Sequence, residues 1–221
     1  MRKTIIFILA LFFLFAIFQT SFGKKEKTGK VKGNVFTDKK FGYQLTFLEN
    51  WKLSTEKEPS LVRATLMKKN YQVDRSTRFG GYEVNIPTII ILADTTSLSL
   101  EDFKKALLEE SKKIKNLDKY KMKLEFLTNS ELLQERETLV DSIPAFILTF
   151  KKGYFKTTVD ETRGITPEGT EVIVEEFIVG HIVFFKKEKN IFLVHFSCER
   201  QFIGPNHREF TNIMNGWEFK D

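Results

Sequence analysis

The side chains best suited to chemistry in this chain are three histidines and one cysteine: His181, His195, His207 and Cys198. Nucleophilic catalysis needs a serine or cysteine held against a histidine, often on a strained turn. No G-x-S-x-G elbow is present, nor an H-E-x-x-H, a C-x-x-C or a calcium-loop pattern. Spacing therefore defines no catalytic residue, no metal site and no cofactor. It permits one pairing. A hairpin turn centred on Glu188 would set His181 opposite His195, and cross-strand histidines can bind zinc. A change of one residue in the loop removes that pairing, and no third ligand stands at a matching spacing. Phe177, Val179, Val183 and Phe185, on the same alternating face as His181, read as core. Cys198 follows Phe196 at strand spacing and reads as a small buried hydrophobe. As the only cysteine, it can form no internal disulfide.

Recognition residues are the better candidates. Arg75, Arg78, Phe79 and Tyr82 combine cationic forks with aromatic anchors, the types enriched at interface hot spots. They lie in a stretch from Tyr71 to Asn85 without a clean period, read as a long loop. Tyr154, Phe155 and Arg163 repeat the combination in the connection from Lys152 to Gly169. The competing reading is a solvated loop whose aromatics tuck back on the sheet.

The elements that must hold these residues are mostly strands. Tyr43, Leu45 and Phe47 alternate with polar residues and predict a half-buried strand, followed by Trp51 after a turn-like Glu49-Asn50. Leu61–Tyr71 is a further strand candidate, and Ile89–Leu92 is a short apolar run suited to a central strand. The clearest helix spans about Leu100 to Lys115. Ser99 is its N-cap, Leu100, Phe103, Leu107 and Ile114 form its apolar face, and Glu101–Lys105 and Glu109–Lys113 are paired on its wet side. Further strands are expected at Lys123–Leu127, Glu131–Leu139, Ala145–Lys151, Thr170–Phe185 (bent near Gly180) and Ile191–Cys198. The last two are joined by a turn at Lys187–Asn190, with Asn190 suited to a left-handed conformation. A short helix, about Asn206–Asn215, ends before Trp217-Glu218-Phe219. Strands paired by hairpins with few helices predict an α+β fold, an antiparallel sheet with helices packed on its faces.

The N-terminus reads as an export signal. Arg2 and Lys3 precede an unbroken apolar run of fourteen residues, Ile5 to Phe18, and small residues at Ser21 and Gly23 suit a cleavage site. A spanning helix needs about 20 apolar residues, which favours a cleaved signal peptide, residues 1–23, over an uncleaved anchor. No cysteine is placed to carry lipid. Cleavage would leave 198 of the 221 residues, enough for one domain with a substantial core. Arg2 and Lys3 are the only charged residues removed, so 33 of the 35 basic residues remain against 29 acidic ones. An excess this modest and dispersed serves solubility, with weak attraction to anionic surfaces. Residues 24–33, Lys/Gly-rich, read as a flexible basic leader, and 34–221 as a single domain.

The opening pattern Asp38-x-x-Phe41-Gly42-Tyr43-x-Leu45-x-Phe47-x-x-x-Trp51 resembles the first hairpin of the PsbP/Mog-like superfamily, including bacterial DcrB-type exported proteins. Leu48 stands where that family usually has a proline. The mid-chain amphipathic helix, Asp141-Ser142-Ile143-Pro144-Ala145 leading into a strand, the long hairpin and the closing Trp217-Glu218-Phe219 extend the resemblance over most of residues 35–220. It implies a twisted antiparallel sheet with helices on both sides, and action by binding macromolecules rather than by catalysis. No shared catalytic motif accompanies it, and partner identity does not transfer with the fold.

The expectation is thus an exported non-enzymatic binding or accessory module of the cell envelope, secreted or periplasmic. Its partner would be a protein or envelope component rather than nucleic acid, with weak anionic-surface contact through the leader. The alternatives are an extracytoplasmic hydrolase with a carboxylate-based site and an N-terminally anchored structural envelope protein.

Overall fold

The computed structural model describes residues 26–71, 86–124, 130–159 and 171–220. Eleven strands and three α-helices occur among them. The strands are β1 (Lys30–Lys32), β2 (Val35–Asp38), β3 (Tyr43–Thr46), β4 (Trp51–Ser54), β5 (Val62–Lys68), β6 (Thr88–Thr95), β7 (Glu131–Val140), β8 (Ile143–Val159), β9 (Glu171–Lys187), β10 (Asn190–Glu199) and β11 (Trp217–Phe219). The helices are α1 (Leu100–Leu108), α2 (Leu117–Lys123) and α3 (Ile203–Asn215).

Seven strands form one antiparallel sheet in the order β4-β5-β6-β10-β9-β8-β7. β1, β2, β3 and β11 form a second, small sheet. The central strands of the large sheet are apolar on both sides, and two cores result. On one face, the small sheet and α3 bury Phe36, Tyr43, Trp51, Phe185, Phe192, Phe210 and Trp217. On the other, α1 and α2 cover Leu92, Phe146, Leu148, Phe184 and Leu193 with Phe103, Leu107 and Tyr120. The expected α+β architecture with helices on both faces is what forms. The small sheet, which shares one face with α3, is an addition to it.

Local chemistry explains several boundaries. Ser99 caps α1 as expected, accepting from Asp102 N at 3.0 Å. The helix stops at Leu108, well before Lys115, because Glu110 turns left-handed (φ 52°). Its N–H then donates to Leu107 O and the Ser111 N–H to Ala106 O, the paired bonds of a Schellman end. A glutamate in that conformation leaves no stop signal in the sequence. Ile114 still reaches the core from the turn that follows. The strand expected at Lys123–Leu127 is replaced by α2, whose Tyr120 and Leu124 are buried at helical spacing, while residues 125–129 lie outside the described residues. β9 needs no bend at Gly180, since its pairing with β8 and β10 passes through that residue without a shift.

The basic leader is a correction. From residue 26 onward it is built into the fold rather than loose. Glu58 N donates to Glu26 O at 2.8 Å, Thr28 N to Glu56 O at 3.0 Å, and Lys30–Lys32 pair with Val35–Thr37. Backbone donors satisfied by the neighbouring loop outweigh the local polarity that predicted flexibility.

Candidate binding surface

The two strand histidines do not meet. The β9–β10 turn is two residues, Glu188-Lys189, with Lys187 opposite Asn190 and the left-handed φ (55°) at Glu188 instead of Asn190. His181 therefore faces Phe196, and His195 faces Ile182. One residue of register sends the imidazoles to opposite faces of the sheet. Among the described residues no group of three or more His, Cys, Asp or Glu comes together. Cys198 is fully buried, and burial pushes its thiol up to about 12, far from thiolate chemistry at neutral pH.

His181 has a different neighbour. α3 carries His207 onto it, with ring centroids 4.7 Å apart. Thr149 Oγ1 lies 3.0 Å from His181 Nδ1, and Phe196 and Phe210 stack on the His181 ring at 6.0 and 6.1 Å. Register builds this corner from the edge inward: Gln134, Thr149, His181 and Phe196 form one row across β7, β8, β9 and β10, with Arg136 one step along β7 on the same face. Burial, then the charges of His207 and Arg136, hold His181 down at about 4. Burial and Arg136 lower His207 as well.

α3 is tied down by Glu209. Its carboxylate accepts from Trp51 Nε1 at 2.8 Å and Asn50 Nδ2 at 3.1 Å, and pairs with Lys68. Burial opposes its ionisation, but these donors prevail and its pKa stays below the ordinary carboxylate range.

Two large apolar side chains lie strongly exposed at the other end of the same face. β8 and β9 continue past their neighbours: β7 reaches only Lys151, and β10 only Ile178. From Gly153↔Phe177 to Val159↔Glu171 they pair, among the described residues, with each other alone. This two-stranded arm extends about 20 Å at the usual rise per residue. It presents Phe155, 75% exposed, and Ile173, 74% exposed. At its base Lys151 Nζ sits 4.0 Å from the centre of the Phe177 ring.

Of the residues singled out from sequence, Phe155 is thus on an exposed arm. The backbone of Tyr154 is in β8, opposite Glu176, and its side chain lies outside the described residues. Arg75, Arg78, Phe79, Tyr82 and Arg163 all lie outside them too. Sequence reading placed Tyr154 and Phe155 in a loop connection, whereas they are strand residues. It missed Ile173 and Arg136. The alternation of Phe155, Thr157, Ile173 and Glu175 at period two was the available signal for the arm.

The described elements make this an α+β protein of the PsbP/Mog-like fold. No protein-family model matches the chain, and no curated protein does. Among solved structures it is similar to the cyanobacterial PsbP protein CyanoP from Synechocystis sp. PCC 6803, with a TM-score of 0.50 and 10% identity over 86% of this chain and 98% of that one. LpqN, involved in cell envelope biogenesis of Mycobacterium tuberculosis, has a TM-score of 0.45 and 10% identity over 90% and 93% of the two chains. The Saccharomyces cerevisiae Ran-binding protein Mog1p has a TM-score of 0.46 and 9% identity over 90% and 97%. At such identities the likeness is one of fold.

Proposed function

We propose that the protein is an exported, non-enzymatic binding or accessory module of the cell envelope, and that the β8–β9 arm is its contact surface. The observation that carries this reading is the exposure of Phe155 and Ile173 on a ribbon that no other described strand supports. A bare two-stranded ribbon is marginal in water. Large apolar side chains left in solvent on such a ribbon gain free energy when a partner covers them. Export rests on the sequence of residues 1–23, whose basic start, apolar run and small-residue exit suit secretion into a periplasm or medium.

The test has two parts. Cells carrying the full chain are treated with a crosslinker, and adducts are compared with those of Phe155→Ser/Ile173→Ser. Loss of specific adducts with unchanged thermal stability is expected, and identical adducts would overturn the arm as contact surface. The mass of the exported protein is measured alongside. Removal of residues 1–23 is expected, and a retained N-terminus would replace the free module by an anchored one.

A further inference from the structure

We propose that the segment from Lys112 to Lys123, which closes one face of the large sheet, docks the protein on an anionic phospholipid surface. The proposal does not depend on the β8–β9 arm. It names a second contact surface and a different kind of partner.

Residues 112–123 hold six lysines, Lys112, Lys113, Lys115, Lys119, Lys121 and Lys123, with one acidic residue, Asp118, and no arginine. Folding gives this run a single wet side. Ile114, Tyr120 and Leu124 are buried in the core beneath α1 and α2, and Leu117 packs against it. With these anchors directed at the sheet, every lysine but Lys121 is exposed. Nearby carboxylates are engaged elsewhere. Glu110 pairs with Lys121, Glu109 lies 4.0 Å from Lys105, and Asp94 accepts from Asn116 at 2.6 Å and Tyr120 at 3.3 Å. None of the five exposed lysines pairs with a described carboxylate. Asp118 alone offsets them within the segment.

Met122 gives this charge an apolar tip. It lies midway between Tyr120 and Leu124, so at 3.6 residues per turn it points away from the core, and it is 81% exposed. Lys119, three residues back, and Lys123, one turn beyond Lys119, lie beside it. A lipid interface takes this arrangement: the thioether enters between headgroups, while the lysine stems lie along the boundary and their amines stay at the phosphates. The choice of lysine separates lipid from an acidic protein. Lysine presents a compact charge on a flexible stem, suited to mobile phosphates, whereas a fixed carboxylate is best held by the planar fork of arginine. α2 also covers the face of the large sheet opposite the one that carries α3 and Phe155. A protein lying on lipid through α2 therefore turns the apolar face of the arm away from the membrane.

The experiment uses the protein as cells export it, sedimented with vesicles of equal parts phosphatidylglycerol and phosphatidylcholine. Vesicles of phosphatidylcholine alone give the baseline, which includes any contribution of an apolar N-terminus. Tighter binding to the anionic vesicles is expected, falling as salt is added. Lys119→Gln/Lys123→Gln is expected to weaken it about tenfold, and Met122→Ser to weaken it several-fold. Lys30→Gln/Lys32→Gln removes the same charge from exposed positions of β1 in the small sheet and should bind like the parent. The proposal is overturned if anionic vesicles bind no better than neutral ones, or if the Lys119/Lys123 variant binds like the parent. It is overturned equally if the β1 variant loses as much, since net charge would then explain the binding. Unchanged binding by Met122→Ser would reassign the surface to a soluble acidic polymer and overturn it too. Phe155→Ser/Ile173→Ser should bind vesicles normally, so failure of the arm in crosslinking and failure of α2 on vesicles are separate results.

Discussion

Arg63 Nε donates to Asp38 Oδ2 across 2.6 Å, and neither side chain has any exposed surface. The guanidinium also donates to Glu58 Oε1 at 2.6 Å, to Thr28 O at 2.8 Å and to Ser60 O at 3.0 Å. Asp38 in turn accepts from the Lys40 N–H at 3.0 Å and the Phe41 N–H at 3.3 Å. Arg63 is the extra residue of a bulge in β5, where Val62 faces Leu92 and Ala64 faces Ile91. The bulge turns a charged side chain inward, joining the small sheet, the large sheet and the N-terminal segment at one point.

Removing one member leaves the other charged and buried. Arg63→Met is expected to cost about 3–5 kcal/mol in urea denaturation, and Asp38→Leu/Arg63→Met to recover most of that loss. A single variant as stable as the parent would show that the pair does not hold the sheets together.

The N-terminal segment is part of the same lock. A Cβ on Gly29 would stand 2.3 Å from the Phe36 ring and 2.7 Å from Thr37 O. Gly29→Ala must displace β1 or the ring, and about 1–3 kcal/mol of stability should be lost. Gly33, with φ of 58° and nothing within 4 Å of its added Cβ, is the comparison in which strain arises from the backbone alone. An unaffected melting temperature for Gly29→Ala would mean that the segment is not packed as described.

Acid should loosen the fold through two buried imidazoles. Burial and the nearby charges of His207 and Arg136 hold His181 at about 4, while burial and Lys152 hold His195 at about 3, both below the ordinary 6.5. The unfolded chain then binds more protons than the folded one below about 6.5. The stability these groups contribute is complete above that pH and is lost as pH falls toward 4 and then 3. Denaturant midpoints measured from pH 7 to pH 4 should fall, and His181→Gln should flatten the decline. A midpoint independent of pH over that range would contradict the burial of both rings.

The β7–β8 turn offers a gain. Asp141 and Ser142 both adopt left-handed backbone, with φ of 47° and 64°, in a two-residue connection between Val140 and Ile143. Such turns favour glycine at the second position. Ser142→Gly is expected to stabilise the protein by about 1 kcal/mol. Asp141→Ala should do the reverse, because Asp141 Oδ2 accepts the Phe219 N–H at 2.8 Å and ties the turn to β11. Equal melting temperatures for the two variants would remove this account.

What the sequence by itself determined is the set of faces. Alternation at Tyr43, Leu45 and Phe47, the run Ile89–Leu92, and the stripe of Phe103 and Leu107 behind the Ser99 cap were legible because each depends only on period and neighbouring residues. Together they determined an α+β protein and most of its strands. Tertiary structure decided everything that depends on register and on long-range pairing. A two-residue turn at Glu188-Lys189 parted His181 from His195 and left His181 to a helix residue far along the chain, His207. A bulge at Arg63 turned a charge into the core and fastened a polar leader. The extra length of β8 and β9 made an arm of what read as a loop. The physical reason is common to the turn and the bulge. Side chains on a strand change face with every residue, so a single inserted residue reverses what is buried, and local composition carries no record of it.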